Sequence, residues 1–298
     1  MRTLVLLLAL LAGWGCETRR ADERPKESAV SAEAEKVLQS SKDPKELSPR
    51  ACELARSTDA HDQEQLSKFL RSADFLNRLD TPEDYANTAA RPRVGRVLKM
   101  LQENKSPPAR QTLLALTQDG TFLKESARVD ELIRATVAIR PAPPELVKFW
   151  DAYSQPMDSF APRTIDTLCE NASRPALDLL EKKLADPSHE ADERISWMRW
   201  SILPRRNNLS LIECAERMLS GSLPEPLRPA LVEVLFDYKP DEWYTPAVSV
   251  SPPDRAGRGP AARVALRRVA QYVLKSVTLT DEQKRAVENT LKELDQRQ

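Results

Sequence analysis

Glycine is nearly missing from this chain: there are 7 in 298 residues, and Gly13 and Gly15 fall in an N-terminal apolar stretch. A loop that cradles phosphate needs several close glycines so that its backbone can approach the ligand. The nearest candidate, Gly257-Arg258-Gly259-Pro260, is cut short by its proline and follows no convincing strand, so it reads as a hinge before a helix. Histidine is scarcer still, with only His61 and His189. In His189-Glu190-Ala191-Asp192-Glu193, a helical zinc site would need its second imidazole where Glu193 stands. The acidic run therefore reads as the capped first turn of a helix, and His61-Asp62 reads the same way. No metal and no cofactor is expected. Aromatics are only 5% of the chain, too few for a β-sandwich core. Net charge is absent as well, since 45 Lys plus Arg balance 45 Asp plus Glu. No global field draws the chain to nucleic acid, and no nucleic-acid partner is expected.

The four cysteines show no C-x-x-C spacing, which removes the usual sequence sign of a metal site or a redox dithiol. Cys169 lies beside Leu168, and Cys214 between Leu211 and Met218, both at apolar helix positions. Two readings stay open for that pair: buried small core residues, or a Cys169–Cys214 disulfide in an oxidising compartment.

What is present begins with Arg2, the apolar run Leu4 to Ala12, and Gly13-Trp14-Gly15-Cys16. A membrane-spanning helix needs about 20 apolar residues, so this run is too short to span. Polar residues follow at once from Glu17 to Arg24. The pattern is that of a cleaved export signal over 1–15. A cysteine directly after a small residue resembles the lipobox of bacterial lipoproteins. Gly15 and Cys16 fit that pattern, whereas Gly13 and Trp14 depart from it. The resemblance implies acylation of Cys16, attachment to a membrane through a palmitate-type lipid, and a place in the bacterial envelope facing the periplasm. Ordinary signal cleavage, leaving Cys16 a thiol, is the alternative.

Residues 16–30 are polar and aperiodic, as a tether would be. From 31 to 237 apolar residues recur at helical spacing. The expected helices run over 31–39, 44–56 with Asp43 as N-cap, 62–72, 92–104, 107–118, 127–139, 143–154, 159–170, 174–185, 191–203, 209–220 and 224–237. Helices of three to four turns on short connections are antiparallel neighbours, so the fold class is all-α, built of stacked helical hairpins. Residues 238–260 are rich in proline and glycine, and two closing helices are expected over 261–276 and 281–295, the latter capped by Thr280.

Arg174-Pro175-Ala176-Leu177 recurs as Arg228-Pro229-Ala230-Leu231, with shorter Arg-Pro helix starts at Arg91-Pro92 and Arg140-Pro141. These pieces resemble HEAT-type repeats, which implies a curved α-solenoid that binds proteins; an irregular helical bundle is the alternative. Trp197, Met198 and Trp200 are expected to pack inside the hairpins. Trp243-Tyr244 is a candidate anchor for an unidentified protein partner. Arg255, Arg258, Arg263, Arg267 and Arg268 form the densest basic cluster, either a solvated helix face over Leu266, Val269 and Val273 or a contact for anionic lipid or envelope polymer. Taken together, the sequence leads to an exported, lipid-anchored, non-catalytic interaction module with no catalytic residues. The alternatives are an enzyme with a polar groove in its helical array, or a structural protein binding envelope polymer.

Overall fold

A computed structural model describes residues 29–80, 92–156, 158–236 and 259–296. Among the described residues there are fifteen α-helices and no strand, so the all-α class holds. They are α1 (Ala29–Ser40), α2 (Pro44–Arg56), α3 (Ala60–Leu70), α4 (Ala73–Leu79), α5 (Arg93–Asn104), α6 (Pro107–Leu116), α7 (Ser126–Ala135) and α8 (Pro144–Ala152). There follow α9 (Ala161–Asn171), α10 (Arg174–Ala185), α11 (Ala191–Trp197), α12 (Leu209–Arg217), α13 (Arg228–Phe236), α14 (Pro260–Ser276) and α15 (Asp281–Gln296). None is long and apolar enough to cross a membrane.

The helix starts follow from local chemistry. Asp43 accepts from Lys45 N at 2.8 Å to open α2, and Pro44 fills the first helical position, where its missing N–H leaves nothing unpaired. Thr280 and Gln283 cap α15 reciprocally, each side chain accepting the other's backbone N–H. The apolar stripes then decide which way each helix turns. Val94, Val97, Leu98 and Leu101 of α5 are buried, as are Leu266, Val269 and Val273 of α14, each large side chain contributing about 1.5–3 kcal/mol.

Those faces pack in two rows that follow chain order. In the first row α2 meets α5, α5 meets α7, and α7 meets α9. The row continues through Met198–Ile202, which prolongs α11 and touches both α9 and α13, and α13 meets α15. In the second row α3 packs on α6, α8 on α10, α10 on α12, and α12 on α14. Chain neighbours α2 and α3, α5 and α6, and α9 and α10 join the rows.

The corners that join the rows repeat. Asn104 ends α5 and donates Nδ2 to Ala55 O (2.8 Å) in the last turn of α2 and to Ser57 O (2.7 Å) just past its end. Asn171 ends α9 and donates Nδ2 to Val137 O (2.8 Å) and Ile139 O (2.9 Å), past the end of α7. The next residue is left-handed in both corners, Lys105 and Ala172 at φ 53°, and the serine after it returns its N–H to the asparagine Oδ1. Asn104-x-Ser106-x-Pro108 and Asn171-x-Ser173-x-Pro175 are therefore one device used twice. Arg174-Pro175-Ala176-Leu177 and Arg228-Pro229-Ala230-Leu231 do not mark equivalent places, because α10 lies in the second row and α13 in the first. The shared text reflects how a first helical turn is written. Arg140-Pro141 is not a helix start either: that peptide is cis, and α8 begins at Pro144.

Several helices differ from the sequence expectation. The stretch expected as one helix over 62–72 begins at Ala60, under an Asp59 cap, and stops at Leu70. Ser72 then caps the short helix α4, whose Phe75, Leu76 and Leu79 enter the core. The expected helices over 191–203 and 209–220 both widen into π turns, at Met198–Ile202 and Met218–Ser222. The first of these has a visible effect. Trp197 and Met198 are buried as expected, but Trp200 is 61% exposed, since three residues in the wider turn no longer return to the same face.

Candidate functional site

A groove of about 210 Å³ crosses the first row, bounded by α5, α7 and α9. From α5 it takes Gly95, Lys99 and Gln102, at i, i+4 and i+7, a single strip of helix surface beside the buried stripe. From α7 come Glu131 and Arg134. From α9 come Arg163, Asp166, Thr167 and Glu170, the i, i+3, i+4, i+7 face of that helix. Glu131 reaches back between α5 and α7 and is buried. A Cβ at Gly95 would lie 3.0 Å from its Cγ and Cδ, so glycine allows the two helices to close around this carboxylate.

The carboxylates around the groove are matched by arginines. Arg134 donates Nε (3.0 Å) and Nη2 (2.8 Å) to Asp130. Arg205, from the turn after the π segment, pairs with Asp166 at 2.7 Å and Glu170 at 3.3 Å. Burial works against the Arg205 charge, but Asp166 outweighs it and holds the guanidinium above the ordinary arginine value. Arg163 sits between Asp130 (3.5 Å) and Asp166 (3.9 Å). Asp166 and Glu170 are thus both held against the Arg205 guanidinium. The exposed Trp200 stands on the next element of the same row, beside Arg199, which pairs with Glu233 of α13 at 3.2 Å.

Cys16, Trp243, Tyr244, Arg255 and Arg258 lie outside the described residues. Arg263, Arg267 and Arg268 share α14 but do not form one open basic surface. Arg267 turns to α15, donating to Leu294 O at 3.0 Å and pairing with Asp295 at 2.7 Å, while Arg268 grips Glu216 of α12 with two nitrogens. Cys169 and Cys214 are both buried and both free thiols, so the bridge considered from sequence is not formed. Burial pushes both thiols up, Cys214 to about 12, and Cys214 Sγ donates to Leu177 O of α10 at 3.7 Å. His189 does not cap α11; it is buried edge-on against Trp197, with ring centroids 4.8 Å apart and Nδ1 3.4 Å from Glu193. Among the described residues no three His, Cys, Asp or Glu converge as metal ligands would.

Sequence reading missed the groove. The signal available was the charge spacing on α9, Arg163, Asp166 and Glu170, which taken alone looks like any solvated helix face. It acquires meaning only when α5 and α7 are set beside it. Comparison with protein-family models, with curated proteins and with solved structures gives no match to this chain.

Proposed function

We propose that this chain is a non-catalytic helical module that binds another protein along its first row of helices, exported and held at a bacterial membrane by a lipid on Cys16. The observation that carries the binding reading is the groove across α5, α7 and α9: its outer carboxylates are satisfied by arginines, and an exposed tryptophan stands on the neighbouring turn. Tryptophan and arginine are the residues that most often anchor protein interfaces. The membrane reading rests on Arg2, the short apolar run and Gly15-Cys16. Two or more acyl chains at about 0.8 kcal/mol per buried CH₂ hold a protein stably to a bilayer.

Two experiments test the two halves. A photo-reactive benzoylphenylalanine in place of Trp200 is expected to give a discrete higher-mass adduct on irradiation of intact cells. The same residue in place of Lys148, exposed on α8 of the second row, is expected to give none. Equal labelling from both positions would remove the docking reading. For the anchor, Cys16→Ser is expected to move the protein from the membrane pellet to the soluble fraction and to abolish incorporation of a clickable palmitate. A variant that stays in the pellet with unchanged labelling would show that Cys16 is not the attachment point.

A further inference from the structure

Arg163 is the feature of the groove that the fold itself does not use up. A guanidinium offers five N–H donors. Those of Arg163 make no hydrogen bond among the described residues, and its two ion-pair contacts are long, 3.5 Å to Asp130 and 3.9 Å to Asp166. Its Nε is shut off from solvent without an acceptor, while the side chain as a whole is 36% exposed toward the groove. The other arginines there are committed: Arg134 to Asp130 and Arg205 to Asp166 and Glu170. Across the groove Lys99 is also loosely held, 3.7 Å from Glu103. Gln102 and Thr167 add neutral groups to the lining.

We propose that this groove binds an acidic segment of a partner protein, with a carboxylate of that segment seated on Arg163 and a second anionic group facing Lys99. The inference rests on the interaction-module reading above. A planar carboxylate matches the guanidinium fork and can accept two of its idle donors at once. Phosphate fits the same fork less well here, because Asp166 and Glu170 line the wall and repel a dianion more strongly than a single carboxylate. The span also suits a peptide. Three packed helices at about 8–10 Å spacing present roughly 16–20 Å of surface, the reach of about five or six extended residues.

The test uses the detergent-extracted full chain and a fluorescein-labelled decapeptide of alternating glutamate and serine, read by fluorescence anisotropy at low salt. Binding is expected, with no binding of the glutamine–serine counterpart. Arg163→Gln is expected to weaken it at least tenfold, Lys99→Gln about threefold, and Arg163→Lys to restore part of the loss. Inorganic phosphate at millimolar concentration is expected to leave the peptide bound. A flat titration with the acidic peptide, or equal affinity in Arg163→Gln, overturns the proposal. Displacement by millimolar phosphate overturns the carboxylate assignment in favour of phosphate. Should circular dichroism show Arg163→Gln unfolded, Lys99→Gln decides the matter alone. None of these outcomes alters the Trp200 adduct or the Cys16 fractionation, so failure here is distinguishable from failure of the broader reading.

Discussion

Asn171→Asp is expected to lower the free energy of unfolding by roughly 3–6 kcal/mol, read as a large fall in the urea midpoint at neutral pH. Asn171 is 1% exposed, and its amide is the donor to both Val137 O and Ile139 O. An aspartate keeps the shape and removes both donors. Each buried carbonyl left without a partner costs about 1–3 kcal/mol, and a carboxylate then faces two carbonyl oxygens in a site with almost no water. The oxygen side of Asn171 now accepts from Ser173 N and Oγ, a role aspartate can keep, so the loss falls on the row contact between α9 and the end of α7. The matching substitution at Asn104 is expected to lose less than half as much. There Gln63 Nε2 also donates to Ser57 O at 2.7 Å, so that carbonyl keeps a donor; Gln63 gives its other hydrogen to Leu54 O at 2.8 Å, and only Ala55 O, 3.3 Å from the same nitrogen, is left weakly paired. Equal losses at the two corners would show that the amide donors are not what matters.

Asp151→Ala is expected to cost about 3 kcal/mol, at the lower end of the range for breaking a buried ion pair. Lys183 of α10 is 2% exposed and stands 2.7 Å from the Asp151 carboxylate of α8; Lys182 meets the other oxygen at 3.2 Å. Taking the carboxylate away strands the Lys183 ammonium inside the second row. In a chain of this size that loss corresponds to a fall in Tm of roughly 6–12 °C. Lys183→Met in the same background is expected to recover most of it, because a flexible apolar side chain fills the space with no charge to solvate. Recovery distinguishes a stranded charge from lost packing. A loss under about 1 kcal/mol in Asp151→Ala would sink the account.

The same pair sets a pH dependence. Burial pushes the Asp151 carboxyl up, but Lys183 and Lys182 together bring it below the ordinary aspartate value. A carboxyl lowered in the folded state adds stability that is full above its unfolded value, about 3.9, and fades as pH falls through the folded value. The stability gap between the parent chain and Asp151→Asn is therefore expected to be widest near pH 7 and to close below about pH 4.

How far the fold could be read from sequence depended on the range of the interaction. Stripes such as Val94, Val97, Leu98 and Leu101, and caps such as Asp43 and Thr280, act within one or two turns, and they were legible. Helix α4 has only seven residues, too few to show a period, and its cap Ser72 looked like the end of the helix before it. The exposure of Trp200 depends on a local change of pitch that composition does not announce. The groove was illegible for a different reason. Its partners, such as Arg205 with Asp166 and Glu170, are brought together by row packing across 39 and 35 residues, and mixed charge on one helix carries no mark of what lies opposite. Arg174-Pro175 and Arg228-Pro229 looked like a repeat unit because N-terminal turns share chemistry, while the true repeat hid in an asparagine, a serine and a proline among ordinary loop residues.

The asparagine corners also bear on the order in which the chain can mature. Asn104 closes carbonyls at Ala55, 49 residues earlier, and Asn171 closes those at Val137, 34 residues earlier. Arg78 does the same for the first helix, donating to Leu38 O across 40 residues. At these three places an earlier length of chain is sealed by a polar side chain that arrives later, whereas Arg140 and Arg267 wait in place for Glu170 O and Leu294 O. A chain threaded N-terminus first through an export channel would complete this part of its backbone pairing in pulses, as each sealing residue emerges, and an end placed just before Asn171 would leave Val137 O and Ile139 O without their side-chain donor.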